Sequence, residues 1–376
     1  MFHDRSLLGG SVIVRPMPKM IAQYGGRKGG YTRDEFFTYD KATIDSTGAF
    51  LVGQLEKLDL TLHQPLFDFQ WSRDIDLRSD VTIADESSSF TVSSFGASGG
   101  GFGGQGTPAG NTQKSWISKN ATALPSASLD KGKVATPMTE WGMEISYTIF
   151  ELEQSMKLGT SVDTEKTMVL NTRYQADVDA QVYTGDKLLG LYGMTNLDGR
   201  SDSSAVTNVA SVPAGTGGAH QWMGTTKTPQ DILNDFNEIL MSRWAAMGFV
   251  LEDTVILLPT SQYGYISTQN ITQAGGRSIL TYILENNFVT KSGSTLTILP
   301  SKWLNGRGVG GTPESLGTTD RMMAYSKKKE RIRFPLTPLQ RLPIQFRSVW
   351  QIVPYYSKIG AVECVYPECV AYRDGL

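Results

Sequence analysis

Residues 95–110 read FGASGGGFGGQGTPAG, inside an otherwise ordinary chain of 376 residues. Glycine has no side chain to bury, so such a tract adds nothing to a core. Holding each backbone in one conformation costs about 1–2 kcal/mol, with glycine at the top of that range. Fixing roughly 15 such residues therefore costs on the order of 15–30 kcal/mol. A loop of this kind, carrying Phe95 and Phe102, is either disordered or ordered by another chain. It points to a protein that assembles.

The length exceeds one ordinary core and implies two or three domains. Lys and Arg number 35 against 37 Asp and Glu, a net charge of −2. That balance exerts no global pull on nucleic acid or an anionic membrane and is compatible with self-association. The longest apolar runs, such as Val255-Ile256-Leu257-Leu258, fall far short of the about 20 residues that cross a bilayer, so no membrane partner is expected. The N-terminus lacks the apolar core and cleavage site of a secretory signal. Cys364 and Cys369 stand in CVYPEC. On one straight strand they would lie about 17 Å apart, too far for a disulfide, although a turn at Pro367 could join them. They read as reduced apolar residues, and two cysteines with no histidine nearby make no zinc site.

Along the chain, residues 1–66 read as an extended arm. Ile75, Leu77, Val81, Ile83, Phe90, Val92 and Phe95 carry a strand period into the glycine tract. Trp141, Met143, Ile145 and Tyr147 alternate strictly on the far side. Two limbs around a glycine tip describe a long two-stranded loop. A helical pattern follows over residues 148–183, broken at Gly159, with Leu170, Tyr174, Val178 and Val182 on one stripe. Thr228, Pro229 and Asp231 form a capped helix start, Leu233, Phe236, Leu240 and Trp244 its buried stripe, and Gly248 its stop. Residues 254–258 are a buried strand. Helices near 262–269 and 278–285 and a strand at Leu296, Ile298 and Leu299 complete a mixed region. From Met322 the chain is strand-like. It is expected to form a terminal ribbon with one strand between Pro343 and Pro354 and another over 361–370, with Pro367 able to turn it.

The chemistry-bearing candidates are few. Residues 101–106 fit G-x-G-x-x-G, but no helix opens after them, so a dinucleotide loop is not supported. No nucleophile elbow, H-E-x-x-H or phosphate loop occurs, and His3, His63 and His220 are scattered. No enzyme activity, cofactor or metal is expected. Asp177 and Asp179 read as solvated or paired with a neighbouring chain. The basic run Lys327 to Arg333 reads as solvated, as an inter-chain ion-pair site or as a phosphate contact. Trp71, Phe95, Phe102, Trp116 and Trp141 read as anchors at an interface between chains.

Four stretches carry a resemblance: GLYGMTN at 190–196, LPTSQY at 258–263, SILTYILENN at 278–287 and VAYRDG at 370–375. With the order of parts, they resemble the major capsid proteins of tailed bacteriophages, over roughly residues 140–376. The resemblance implies the Hong Kong 97-like shell fold, an α+β fold with an N-terminal arm, an E-loop, a long spine helix in a peripheral domain and an axial α/β domain. Laid on this chain, it places the arm at 1–66, the E-loop with its glycine-rich tip at 67–146, the peripheral domain at 147–190 and 338–376, and the axial domain at 191–337. It implies an icosahedral head shell of hexamers and pentamers around phage DNA, contacted non-specifically. Portal, scaffold and decoration proteins would be its partners, the bacterial host cytoplasm its place of assembly and the virion its destination. The inter-subunit loop residues would be Phe95, Phe102 and Trp116. The spine packing residues would be Leu170, Tyr174, Val178 and Val182. An encapsulin-type cellular compartment of the same fold and a monomeric α/β enzyme are the alternatives.

Overall fold

A computed structural model describes residues 67–97, 119, 127–158, 162–223, 227–271, 276–308 and 319–376. The chain divides into the units Met1–Phe67 and Asp68–Leu376, and every element below belongs to the second. The arm expected at 1–66 and the glycine tract beyond Ala97 lie outside the described residues, as do Phe102 and Trp116.

One helical turn, α1 (Trp71–Asp74), leads to a short strand, β1 (Asp76–Arg78). Then β2 (Ser87–Ala97) and β3 (Ala127–Pro137) pair antiparallel, from Ser87 opposite Pro137 to Ala97 opposite Ala127. The strand β4 (Thr139–Thr148) continues into α2 (Ile149–Leu158) and α3 (Val162–Tyr183). Leu170, Tyr174, Val178 and Val182 recur every fourth residue along α3 and are all buried. Each such side chain stabilises the fold by about 1.5–3 kcal/mol relative to exposure.

The loop read over 67–146 divides in the structure. Only β2 and β3 form the ribbon. The alternating limb at Trp141, Met143, Ile145 and Tyr147 is β4, which pairs elsewhere because one face packs against α3. Its partner comes from the far end of the chain.

After a short strand β5 (Val209–Ser211) comes α4 (Pro229–Ala246). Its capping box is formed as the residue types dictate: Thr228 Oγ1 accepts from Asp231 N, and Asp231 accepts from Thr228 N. Gly248 ends it at φ 65°, a conformation glycine adopts freely. There follow β6 (Thr254–Pro259), α5 (Thr260–Thr268), α6 (Ile279–Glu285), β7 (Leu296–Ser301) and β8 (Arg321–Tyr325). The end of the chain supplies β9 (Ile332–Pro335), β10 (Gln340–Arg341), β11 (Gln345–Arg347), β12 (Trp350–Ile359), β13 (Glu363–Cys364) and β14 (Ala371–Asp374).

A five-stranded sheet in the order β7-β6-β8-β14-β5 separates two cores. Side chains alternate across it with period two. Leu257, Met323, Tyr325 and Tyr372 face a core shared with α3, while Ile256, Leu258, Met322, Ala324 and Ala371 face a core shared with α4. Covering both faces explains why β6 reads as a continuous apolar run. A second sheet has β12 at its centre. It pairs with β10 and β11 on one side and, over ten residues, with β4 on the other, from Trp350 opposite Thr148 to Ile359 opposite Thr139. A third joins β1, β9 and β13.

The terminal ribbon differs from expectation in two places. β12 runs through Pro354 to Ile359, because the Pro354 carbonyl still accepts from Leu342 N although the ring has no donor. Residues 361–370 are no single strand: the turn that the sequence allows at Pro367 is formed as a 3₁₀ turn, Pro367–Cys369, between β13 and β14.

Candidate functional site

The β2–β3 ribbon carries the glycine tract at its end and meets the body at its base. Phe90 and Val134 stand opposite each other there and are buried. From Thr91 to Ser93 and from Leu129 to Lys133, the side chains of the ribbon range from half-buried to exposed. Phe95 lies opposite Leu129 in the register.

At that base sits Glu363, 0% exposed. Its Oε1 accepts from Ser88 Oγ of β2 and from Arg78 Nη1 at 2.9 Å. Its Oε2 accepts from Arg333 Nε at 2.6 Å. Arg78 Nη1 also donates to Ser88 Oγ at 2.9 Å and to the Ser89 carbonyl at 3.0 Å. Arg78 is held above its ordinary pKa first by its hydrogen bond to Asp80, then by the charge of Glu363. Just before β2, the Asp85 carbonyl accepts from Lys358 Nζ at 3.0 Å.

Along α3 the predicted stripe meets the second sheet. Tyr174 packs edge-on against Trp141 at 4.9 Å, and its hydroxyl lies 3.1 Å from Ser357 Oγ. Leu170 joins Ile145, Tyr147 and Val353. Val178 and Val182 turn to the larger core with Met194 and Leu257. The α3 end is fixed by GLYGMTN. Met194 N and Thr195 N donate to the carbonyls of Val182 and Tyr183, and Asn196 Nδ2 donates to Thr184 O. A Cβ at Gly193 would stand 2.4 Å from the Tyr183 carbonyl carbon, so the close approach requires glycine.

Asp179 is not solvated, and Asp177 is only partly exposed. Asp179, 1% exposed, accepts from the amides of Gln70 and Trp71 at 3.0 and 3.1 Å and from Trp303 Nε1 at 2.8 Å. Lys302 Nζ lies 3.2 Å away. Asp177 accepts from Trp141 Nε1 at 2.9 Å. Trp71 and Trp141 thus pack within their own chain, because each indole N–H has a polar partner on α3; Trp71 Nε1 donates to Gln175. Three cations of the basic run are likewise spent internally, while Lys329 is exposed. Lys327 donates to the Arg73 carbonyl, Arg331 pairs with Glu252 at 2.7 Å and Arg333 with Glu363.

Burial raises the Cys364 thiol, and raises that of Cys369 to about 11, so both stay neutral and unreactive. Burial also lowers Arg243 to about 10; its guanidinium donates to the Cys369 carbonyl, Thr254 Oγ1 and Ser326 Oγ. Among the described residues no three His, Cys, Asp or Glu side chains gather as a metal site, and no helix is long and apolar enough to cross a membrane.

Three groups of exposed apolar side chains stand out among those scattered over the surface. All of residues 340–350 are exposed, Phe346 at 74%, and beside them Ile149 N bonds the Val349 carbonyl, which sets exposed Ile149 and Phe150 next to that turn. Leu188 is 91% exposed after α3, and Phe249, Val250 and Leu251 follow α4. Large contiguous patches of such residues are where contacts with other molecules form. Only the alternation at Ile344 and Phe346 announced one of them in sequence, and it announced a strand rather than its exposure.

A family model described as major capsid protein matches residues 113–376. No curated protein sequence matches the chain. Among solved structures, the capsid of Myoviridae Phage XM1 is similar at a TM-score of 0.62 and 17% identity, over 86% of this chain and 98% of that one. The capsid of the native GTA particle gives 0.56 and 11%, over 88% and 97%. Mycobacterium phage Ogopogo gives 0.50 and 11%, over 88% and 98%.

Proposed function

The chain belongs to the major capsid protein family, and from that membership we propose how its parts serve a shell. It is a major capsid protein that forms a phage head shell on the Hong Kong 97-like fold, and its place is the virion. The observation that carries this is the family match over residues 113–376, joined to a fold shared along almost the whole length of phage capsid chains.

In our reading the arm is 1–66 and the E-loop lies within 67–146. Helix α3 and the β12 sheet form the peripheral domain, at 147–190 and 338–376, and the five-stranded sheet with α4 lies in the axial domain, 191–337. Phe95, Phe102 and Trp116 rest on a neighbouring copy, whose contact offsets the entropy of ordering the glycine tract. Obligate interfaces of about 2,000–5,000 Å² are large enough for that at roughly 25 cal/mol per Å² of apolar area. The exposed clusters at 340–350, Leu188 and Phe249 are further contacts between copies. Such head-to-tail contacts close into rings and shells. The role is structural, without catalysis or cofactor. Portal, scaffold and decoration proteins are the partners, the packaged DNA is contacted without sequence preference, and assembly takes place in the host cytoplasm.

The test is electron microscopy and size analysis of the purified protein. The expected result is capsomers or shells far above the 41.2 kDa of one chain. A monomer that persists at high concentration, under conditions that promote capsomers, overturns the reading.

A further inference from the structure

We infer that Glu363 is the positioning residue that sets the direction in which the β2–β3 ribbon leaves the subunit. This rests on the reading of that ribbon as an assembly element.

A two-stranded ribbon has marginal stability alone, and among the described residues no third strand orients it. Its direction is therefore decided where it joins the body. Phe90 and Val134, the apolar pair at the base, belong to none of the three core clusters. The side-chain hydrogen bonds that hold β2 to the body converge on one carboxylate. Glu363 is flanked by Val362 and Cys364, both fully buried in the main core, so its backbone is rigidly placed. Arg333 occupies Oε2, which turns Oε1 toward Ser88 and Arg78. Arg78 then grips the ribbon twice, at Ser88 Oγ and the Ser89 carbonyl.

The lever is long. Nine residues of β2 beyond Ser88 extend about 30 Å at roughly 3.3 Å per residue. A rotation of about 10° at the base would move the far end by about 5 Å over that length. A displacement of that size breaks the fit of a close-packed interface, so a small polar cluster governs a distant contact.

The experiment compares the full chain with a Ser88→Ala/Arg78→Gln variant and with Thr228→Ala, which removes the α4 cap far from the ribbon. Hydrogen exchange is read on residues 87–93 and 129–137 and on α3, and particles are sized by electron microscopy. In the Ser88→Ala/Arg78→Gln variant, exchange of the ribbon amides should rise roughly ten-fold, the scale of one lost charge-assisted hydrogen bond, with α3 unchanged. Its particles should be fewer or irregular. Thr228→Ala should lower the melting temperature and leave both ribbon exchange and particle size unaltered. Unchanged ribbon exchange in the double variant overturns the inference, and so does an equal rise in Thr228→Ala. A loosened ribbon with normal particles supports the positioning role and overturns the assembly reading instead.

Discussion

Trp303 Nε1 donates to Asp179 Oδ2 at 2.8 Å, while Oδ1 of the same carboxylate accepts the amides of Gln70 and Trp71. One buried side chain on α3 therefore ties the start of the described chain to the loop after β7. Replacing it by alanine leaves these donors without a partner. Asp179→Ala should cost about 3–5 kcal/mol, as expected for a broken buried charged network. Thermal melting of the soluble subunit measures this, and a loss near that of a surface substitution would show that water replaces the carboxylate.

Val178 is 0% exposed, facing the core between α3 and the five-stranded sheet. Val178→Asp, or Tyr174→Asp one turn before it, should abolish soluble folding. An unpaired buried charge costs on the order of several kcal/mol, comparable with the whole stability of a domain. Soluble expression with a near-normal melting curve in either variant contradicts this.

Gly193 has no room for a methyl group, since a Cβ would meet the Tyr183 carbonyl carbon and oxygen at 2.4 Å. Gly193→Ala should destabilise the subunit by about 1–3 kcal/mol or more, as overpacking does. By contrast Gly264, with open space around its Cβ position on helix α5, should accept alanine with no loss. Chemical denaturation of the two variants side by side distinguishes them.

Asp231 titrates near 2, held down first by the Thr228 hydroxyl and then by the Thr228 amide. Its folded pKa lies below the ordinary 3.8, so its contribution is present above that value and is lost as pH falls through about 2. Asp231→Asn should flatten the fall in stability between those two values and leave the rest of the pH profile alone. Melting temperature against pH for both proteins reads this directly, and parallel profiles would refute it.

Deleting residues 99–106 should leave a folded subunit and impair or weaken shells, because the tract adds no core and our reading places it on a neighbouring copy. A misfolded variant would make the tract part of its own subunit's core. Shells of unchanged stability would move the contact to the flanking strands.

The parts of the fold that were legible depend on neighbours in sequence. The four-residue repeat from Leu170 to Val182, the Thr228-Pro229-Asp231 cap and the apolar run before Pro259 each declare their element locally. What could not be read depends on distant partners. Asp179 looks like any surface carboxylate until Gln70 and Trp303 are brought beside it. Glu363 looks like part of a strand face until Arg78 and Ser88 close on it. The alternation from Trp141 to Tyr147 correctly gives a strand, but no period names its partner. The exposed segment 340–350 alternates apolar and polar residues as a half-buried strand does, so burial and contact with another molecule read alike.

The pairing of β4 with β12 also has a consequence in time. Synthesis proceeds at about 5–20 residues per second, so once Thr148 has left the ribosome its partner Trp350 follows on the order of 10–40 s later. Throughout that interval the edge of a ten-residue strand stays unpaired, even where α3 already covers its Met143, Ile145 and Tyr147 face. Nascent chains on one messenger stand close together, and unpaired edges are where they join wrongly. Slower elongation or warmer growth should therefore lower the yield of assembly-competent subunits even where the finished fold is stable, as the soluble fraction after expression would show.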